Sequence, residues 1–201
     1  GVYLCHSCPH FPNVGDEYGN FPDSAKIYGQ SFLALRLPPL GVKTVLKHLL
    51  TLWPWIQDMG FDSSLQSDYP DAAMIADIGG PGDPDDAKFG RTQAKWSGWD
   101  KEGPILEGPI KTTGGTTFMF VTKPCGQQVS IFDHIAGQLG KKILVESWIR
   151  GSPEKTTDQV CNVNEVTPAT GDDKDVFGEH NDHSKYFASE DGTVFGIGDL
   201  N

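Results

Sequence analysis

The stretch NDHSKYFASEDGTVFGIGDLN at residues 181–201 contains His183 and Lys185 two apart, then Asp199 and Asn201 at the end of a Gly-rich run. Residues i and i+2 of a strand face the same side, so this spacing predicts an imidazole beside an ammonium on one surface. That pair suits a phosphate ester. The imidazole can attack phosphorus or carry a proton, while Lys185, Asp199 and Asn201 supply polar groups to hold the other oxygens. The competing reading is structural: a His and a Lys on a solvent-facing edge strand, with Asp199 and Asn201 as turn residues.

Other reactive residue types offer less. His6-Ser7 reads as a packed pair or the mouth of a loop, His134 is expected to be exposed on a helix, and His48 has no evident partner between Lys47 and Leu49. Asp133 and His134 are adjacent, and adjacent helical side chains diverge by about 100°. There is no G-x-S-x-G elbow, P-loop or H-E-x-x-H signature. Cys5 and Cys8 enclose CHSC, with His10 nearby, but the second ligand pair of a zinc site is absent. No metal and no cofactor is therefore expected. With Cys125 and Cys161, one or two disulfides stay open as alternatives, in a pairing the sequence does not fix.

The elements that must position these groups read as one α/β unit of 201 residues. Strands are expected at 2–6 and 30–38. Val42, Val45, Leu46, Leu49, Leu50 and Trp53 then mark an amphipathic helix stopped by Pro54. Further on, 116–123 reads as a strand, Val129, Phe132, Ala136 and Leu139 as one face of a helix ended by Gly140, and 141–149 as a buried strand. That order predicts a parallel crossover unit. Segments 159–166 and 183–188 are the last strand candidates. Between 58 and 88 there are eight Asp and one Lys, so the wider 58–115 region reads as an acidic loop.

A net charge of −11 disfavours nucleic-acid binding at neutral pH, since phosphate binding rests on Lys and Arg. In acid the objection weakens, because the 6 His become cationic and some of the 27 carboxylates protonate. No stretch approaches the ~20 apolar residues of a membrane span, and the opening GVYLCHSCPHFP lacks the layout of a signal peptide. A start at Gly1, directly on a strand, reads as an internal cut.

Five segments, GVYLCHSCPHFP (1–12), IYGQSFLALRL (27–37), WPW (53–55), CNVNEV (161–166) and DHSKYFASEDGTVFGIGDLN (182–201), together resemble the deoxyribonuclease II family of acid endonucleases, in the same order and with similar spacing. The resemblance implies a phospholipase D-like mixed sheet flanked by helices, in which two HxK-bearing halves make a pseudo-dimer around one phosphodiester. It places His183 and Lys185 at the second HxK and Asn201 at the polar residue closing it. His6 and Ser7 take the corresponding close of the first motif. The first HxK has no match, so the chain is expected to hold the C-terminal half and part of the N-terminal half, truncated at both ends. Where family members can carry Cys flanking the second motif, this chain has Phe187 and Gly196, and it has no N-x-S/T sequon.

The function implied is metal-free acid hydrolysis of DNA through a phosphohistidine, leaving 3′-phosphate ends, in a secreted or lysosomal protein. Its partners would be DNA and either the N-terminal segment carrying the first HxK or a second copy in a homodimer, with no membrane. The rival readings are a non-catalytic secreted binding or toxin protein and a phospholipase D-like lipid hydrolase. The lipase reading calls for an apolar rim or an amphipathic membrane-facing helix, which the acidic 58–88 stretch does not offer.

Overall fold

The computed structural model describes residues 1–8, 23, 28–52, 62–78, 102–124, 126–147, 157–163, 165–166, 177–178 and 184–198. Within them the chain is mixed α/β, with several small sheets and few helices. It divides into two compact units, Gly1–Tyr3, Asn13–Gly15 and Leu35–Gln128 in the first, and Leu4–Pro12, Asp16–Ala34 and Val129–Asn201 in the second. Strands β1 (Val2–His6) and β2 (Phe32–Arg36) pair with each other.

In the first unit, helix α1 (Pro39–Leu52) packs on the antiparallel hairpin of β3 (Leu106–Lys111) and β4 (Thr117–Thr122). Two prolines open α1, where a missing N–H costs nothing. Its buried residues are Gly41, Val45 and His48. The expected stripe is therefore rotated, with Val42, Leu46, Leu49 and Leu50 half-buried and Trp53 outside the described residues. Gly41 explains the rotation: a Cβ there would lie 3.5 Å from Cγ2 of Ile110, a side chain only 1% exposed, so the helix approaches β3 through its glycine. The hairpin turn carries Gly115 at φ 92°, a conformation that favours glycine.

The 58–115 region is not the single loop expected. It holds a 3₁₀ turn (Ser63–Leu65) capped by Asp62, helix α2 (Pro70–Ile78) with Ala72 and Ile75 buried, and β3. Charge density concealed the local pattern: acidic residues occupy caps and solvent faces, while a few small or apolar residues do the packing.

The second unit is built on a four-stranded sheet in the order β10-β9-β5-β6, comprising β5 (Ile143–Glu146), β6 (Val160–Asn162), β9 (Tyr186–Ser189) and β10 (Phe195–Ile197). A separate short pair joins β7 (Glu165–Val166) to β8 (Phe177–Gly178). Helix α3 (Ile131–Leu139) covers one sheet face, starting at Ser130, whose hydroxyl accepts from the Phe132 and Asp133 amides, and ending at left-handed Gly140. Phe132, Ala136, Ile143, Val145 and Val160 form the core, with Phe187 and Leu139 against it. Val129, expected on the helical face, precedes the helix and is half exposed, and His134 is half-buried rather than exposed.

The predicted crossover is corrected as well. Strand β4 belongs to the hairpin and β5 to the four-stranded sheet, so they share no sheet. The parallel partner of β5 is β6, with Ile143 beside Val160 and Val145 beside Asn162.

Candidate active site

Lys185 stands immediately before β9, and β9 is an interior strand with β10 on one side and β5 on the other. The Gly198 N–H donates to the Lys185 carbonyl at 3.0 Å, which extends the β9–β10 ladder by one residue. The Gly-rich run is thus partly strand. Alternation puts Lys185 on the same face as Phe187 and Ser189, the face that carries the core. Its side chain is 5% exposed and that of Ser184 6%. A lysine buried in the interior of a sheet is costly unless it is held by partners or serves a ligand, so the solvent-facing edge reading of the motif does not apply. His183, Asp199 and Asn201 lie outside the described residues.

Two polar residues that the sequence reading passed over flank this position. Ser147 follows β5 and falls opposite Lys185 when the β5–β9 register is continued by one step. Its hydroxyl donates to Oδ1 of Asn162, the last residue of β6, at 3.2 Å. The available signal was the position of polar side chains at inward-facing places of otherwise apolar strands.

His6 and Ser7 belong to the same compact unit as Lys185. The half-buried His6 ring stacks on Phe32 with centroids 6.0 Å apart. Ser7 is buried and its hydroxyl is committed: it donates to Oε1 of Gln30 at 2.9 Å and accepts from the Ser31 amide at 2.9 Å. Its amide also donates to the Ser31 carbonyl. Ser7 therefore fixes the end of β1, and through it the placement of His6. Burial pushes the Cys8 thiol up. Among the described residues no group of three or more His, Cys, Asp or Glu gathers as a metal site would require, and no helix is long and apolar enough to cross a membrane.

The hairpin that carries the motif is braced in two ways. Phe187 and Gly196 are direct cross-strand partners, and the Phe187 ring occupies the place a Cβ at Gly196 would need. An aromatic ring over glycine thus braces this cross-strand pair. At the turn, Lys141 donates to Asp191 at 2.6 Å, and Ser189 and Thr193 donate to the same carboxylate. The Lys141 ammonium first, then these hydroxyls, hold Asp191 well below the usual carboxylate range.

The sequence model of the deoxyribonuclease II family matches residues 1–201. The chain belongs to the deoxyribonuclease II family. It is 23% identical over 214 residues to deoxyribonuclease-2-alpha of Rattus norvegicus, an alignment covering 100% of this chain and 54% of that protein. The chain thus spans about half the length of this curated relative. No solved structure matches it with significance.

Proposed function

We propose that the protein is a deoxyribonuclease that cuts DNA phosphodiesters in acid without a metal ion. The observation that carries this reading is the burial of Lys185 at the entry to an interior strand, two residues after His183, in a member of this family. One His attacks phosphorus as the bond to the 5′-oxygen breaks, and a second His gives that oxygen its proton. Water then attacks the phosphohistidine, the imidazole leaves with its electron pair, and a 3′-phosphate remains. Lys185 and Asn201 offset the charge on the non-bridging oxygens, the work a cation does in metal-dependent nucleases.

His183 is one of the two histidines. The other comes either from a first HxK on an N-terminal segment of the same protein, which completes a phospholipase D-like pseudo-dimer, or from the His183 of a second copy in a symmetric dimer. His6, stacked on Phe32 and placed by Ser7, lines the same phosphate and closes that first motif. The substrate partner is DNA, and the compartment is secreted or lysosomal, where protonated histidines relieve the −11 charge. Complete protein assayed at about pH 5 in EDTA should degrade plasmid DNA, with ends that phosphatase treatment converts to 3′-hydroxyls. Activity confined to about pH 8 and abolished by EDTA would overturn the reading. Sedimentation separates the two sources of the second histidine: an active monomer points to the N-terminal segment, an obligate dimer to the second copy.

A further inference from the structure

We infer that Phe32 is a stacking platform for an unpaired base of the DNA strand whose phosphate His6 lines, an inference that rests on the nuclease reading above. Gly1 and Leu37 exchange both backbone hydrogen bonds at 2.8 Å, and the Ser7 amide donates to the Ser31 carbonyl. Strands β1 and β2 are therefore antiparallel, with Leu4 opposite Ala34 and His6 opposite Phe32 in the non-hydrogen-bonded pairs, whose side chains stand closest. That register brings the His6 and Phe32 rings together, 25° from parallel.

Alternation separates the two faces of this pair of strands. Cys5 and Leu33 turn to one side and are half-buried, while Leu4, Phe32 and Ala34 stand exposed on the other, the side of His6. Phe32 is 49% exposed with every contact of the fold made, so part of its ring is open without any rearrangement. Single apolar residues on a surface need no explanation, but this aromatic ring adjoins the imidazole assigned to the phosphate. None of Leu4, His6, Phe32 and Ala34 is a carboxylate, in a chain that carries 27, so this row does not repel a nucleotide strand. Stacking of a base on a phenyl ring is indifferent to sequence, as suits an enzyme that degrades DNA rather than reads it. A base inside a duplex has both faces covered by its neighbours, so the platform serves single strands, frayed ends or a base turned out of the stack. Phe195, 66% exposed, lacks this setting: it lies opposite Ala188, on the sheet face turned away from Lys185, and its ring meets Tyr186.

The test uses the complete protein carrying His183→Asn, which binds without cutting under the nuclease reading, and a short single-stranded oligonucleotide at about pH 5 in EDTA. A fluorescent adenine analogue whose emission reports stacking is moved along the strand. Phe32→Ala should weaken binding about five- to a hundredfold and remove the emission change at one position, Phe32→Tyr should restore both, and Phe195→Ala should change neither. An abasic site at that position should weaken the parent by the same factor and Phe32→Ala no further. If melting temperatures show that Phe32→Ala fails to fold, Phe32→Leu, which keeps apolar bulk without a flat ring, decides. Equal losses in Phe32→Ala and Phe195→Ala, or a loss in Phe32→Ala that persists undiminished on every abasic strand, would mark a structural role and refute the platform. If Phe32→Ala binds normally but sediments as a smaller species, the face is a contact between copies instead. Binding by Phe32→Ala within about twofold of the parent, while Lys185→Ala loses the oligonucleotide, refutes the inference and leaves the nuclease site standing. A complete protein that does not bind the oligonucleotide and, with His183 intact, does not cut DNA brings down the nuclease reading, and the inference with it.

Discussion

The first unit buries a histidine under a helix and a hairpin, whereas the second buries a lysine at the mouth of its sheet and clasps the adjoining turn with an aspartate–lysine pair. His48 is 3% exposed, its Nδ1 lies 3.0 Å from Thr122 Oγ1, and its ring meets Phe120 edge-on. Burial first, and Lys47 second, push its pKa down. Its setting thus disfavours the charged form of the imidazole. The second unit instead places Lys185, opposite Ser147, at one end of the core face. His48 is thus fastened inside the packing of the first unit, whereas Lys185 borders the candidate site of the second.

The largest effect that tests this contrast is on chemistry. His183→Asn should lower acid nuclease activity by about a thousandfold or more while the melting temperature stays close to that of the parent. A variant keeping most of its activity would remove His183 from the reaction and leave Lys185 without the partner assigned to it.

Next come the cores. Phe132→Ala empties a side chain 2% exposed at the centre of the second unit and should cost about 3–5 kcal/mol. Ile110→Ala in the first unit should cost about 2–5 kcal/mol. Urea unfolding followed separately by activity and by hydrogen exchange of α1 would show whether each loss stays in its own unit. Gly196→Ala is smaller, because the Phe187 ring must rotate away from the new Cβ and leave its place against the core. A loss of about 1–3 kcal/mol in denaturant is expected, and an unchanged midpoint would show that the ring moves freely.

What the sequence disclosed followed from local rules. Strands β1, β2 and β4 and helix α3 carry their own periodicity, and Gly140 punctuates the end of α3. What it concealed depended on partners distant in the chain. The sheet membership of β5 is decided by β6 and β9, and the rotation of α1 by its approach to Ile110 through Gly41. In the sequence β3 reads as loop because Gly108 and Pro109 interrupt a run whose pairing with β4 holds it extended. At the candidate site, the HxK spacing marks Lys185 as a candidate, and the family resemblance marks His6 and Ser7. Neither marks Ser147 or Asn162, since one hydrogen bond between separate strands brings them together.

The smallest effects are pH slopes, and they separate the two units most finely. As pH falls through the ordinary histidine value of 6.5, the unfolded chain takes up a proton that folded His48 refuses, so the stability of the first unit declines toward acid. The groups around that ring add little counter-charge: Lys47 shares its helix, Glu107 and Lys111 on β3 are exposed, and Lys123 follows β4. The decline levels off only once the folded histidine protonates in turn. His48→Gln, which keeps a partner for Thr122 without titrating, should flatten the slope between neutral pH and about pH 5. Asp191 acts in the same sense but in a lower pH window. Its contribution is present above the ordinary carboxylate value of 3.8 and is lost only as pH falls through its lower folded value, so Asp191→Asn should leave the slope above 3.8 unaltered. Denaturant midpoints across this range decide the matter: an unchanged slope in His48→Gln would mean that the buried imidazole already accepts its proton in the folded state, and that the acid response of the first unit arises elsewhere.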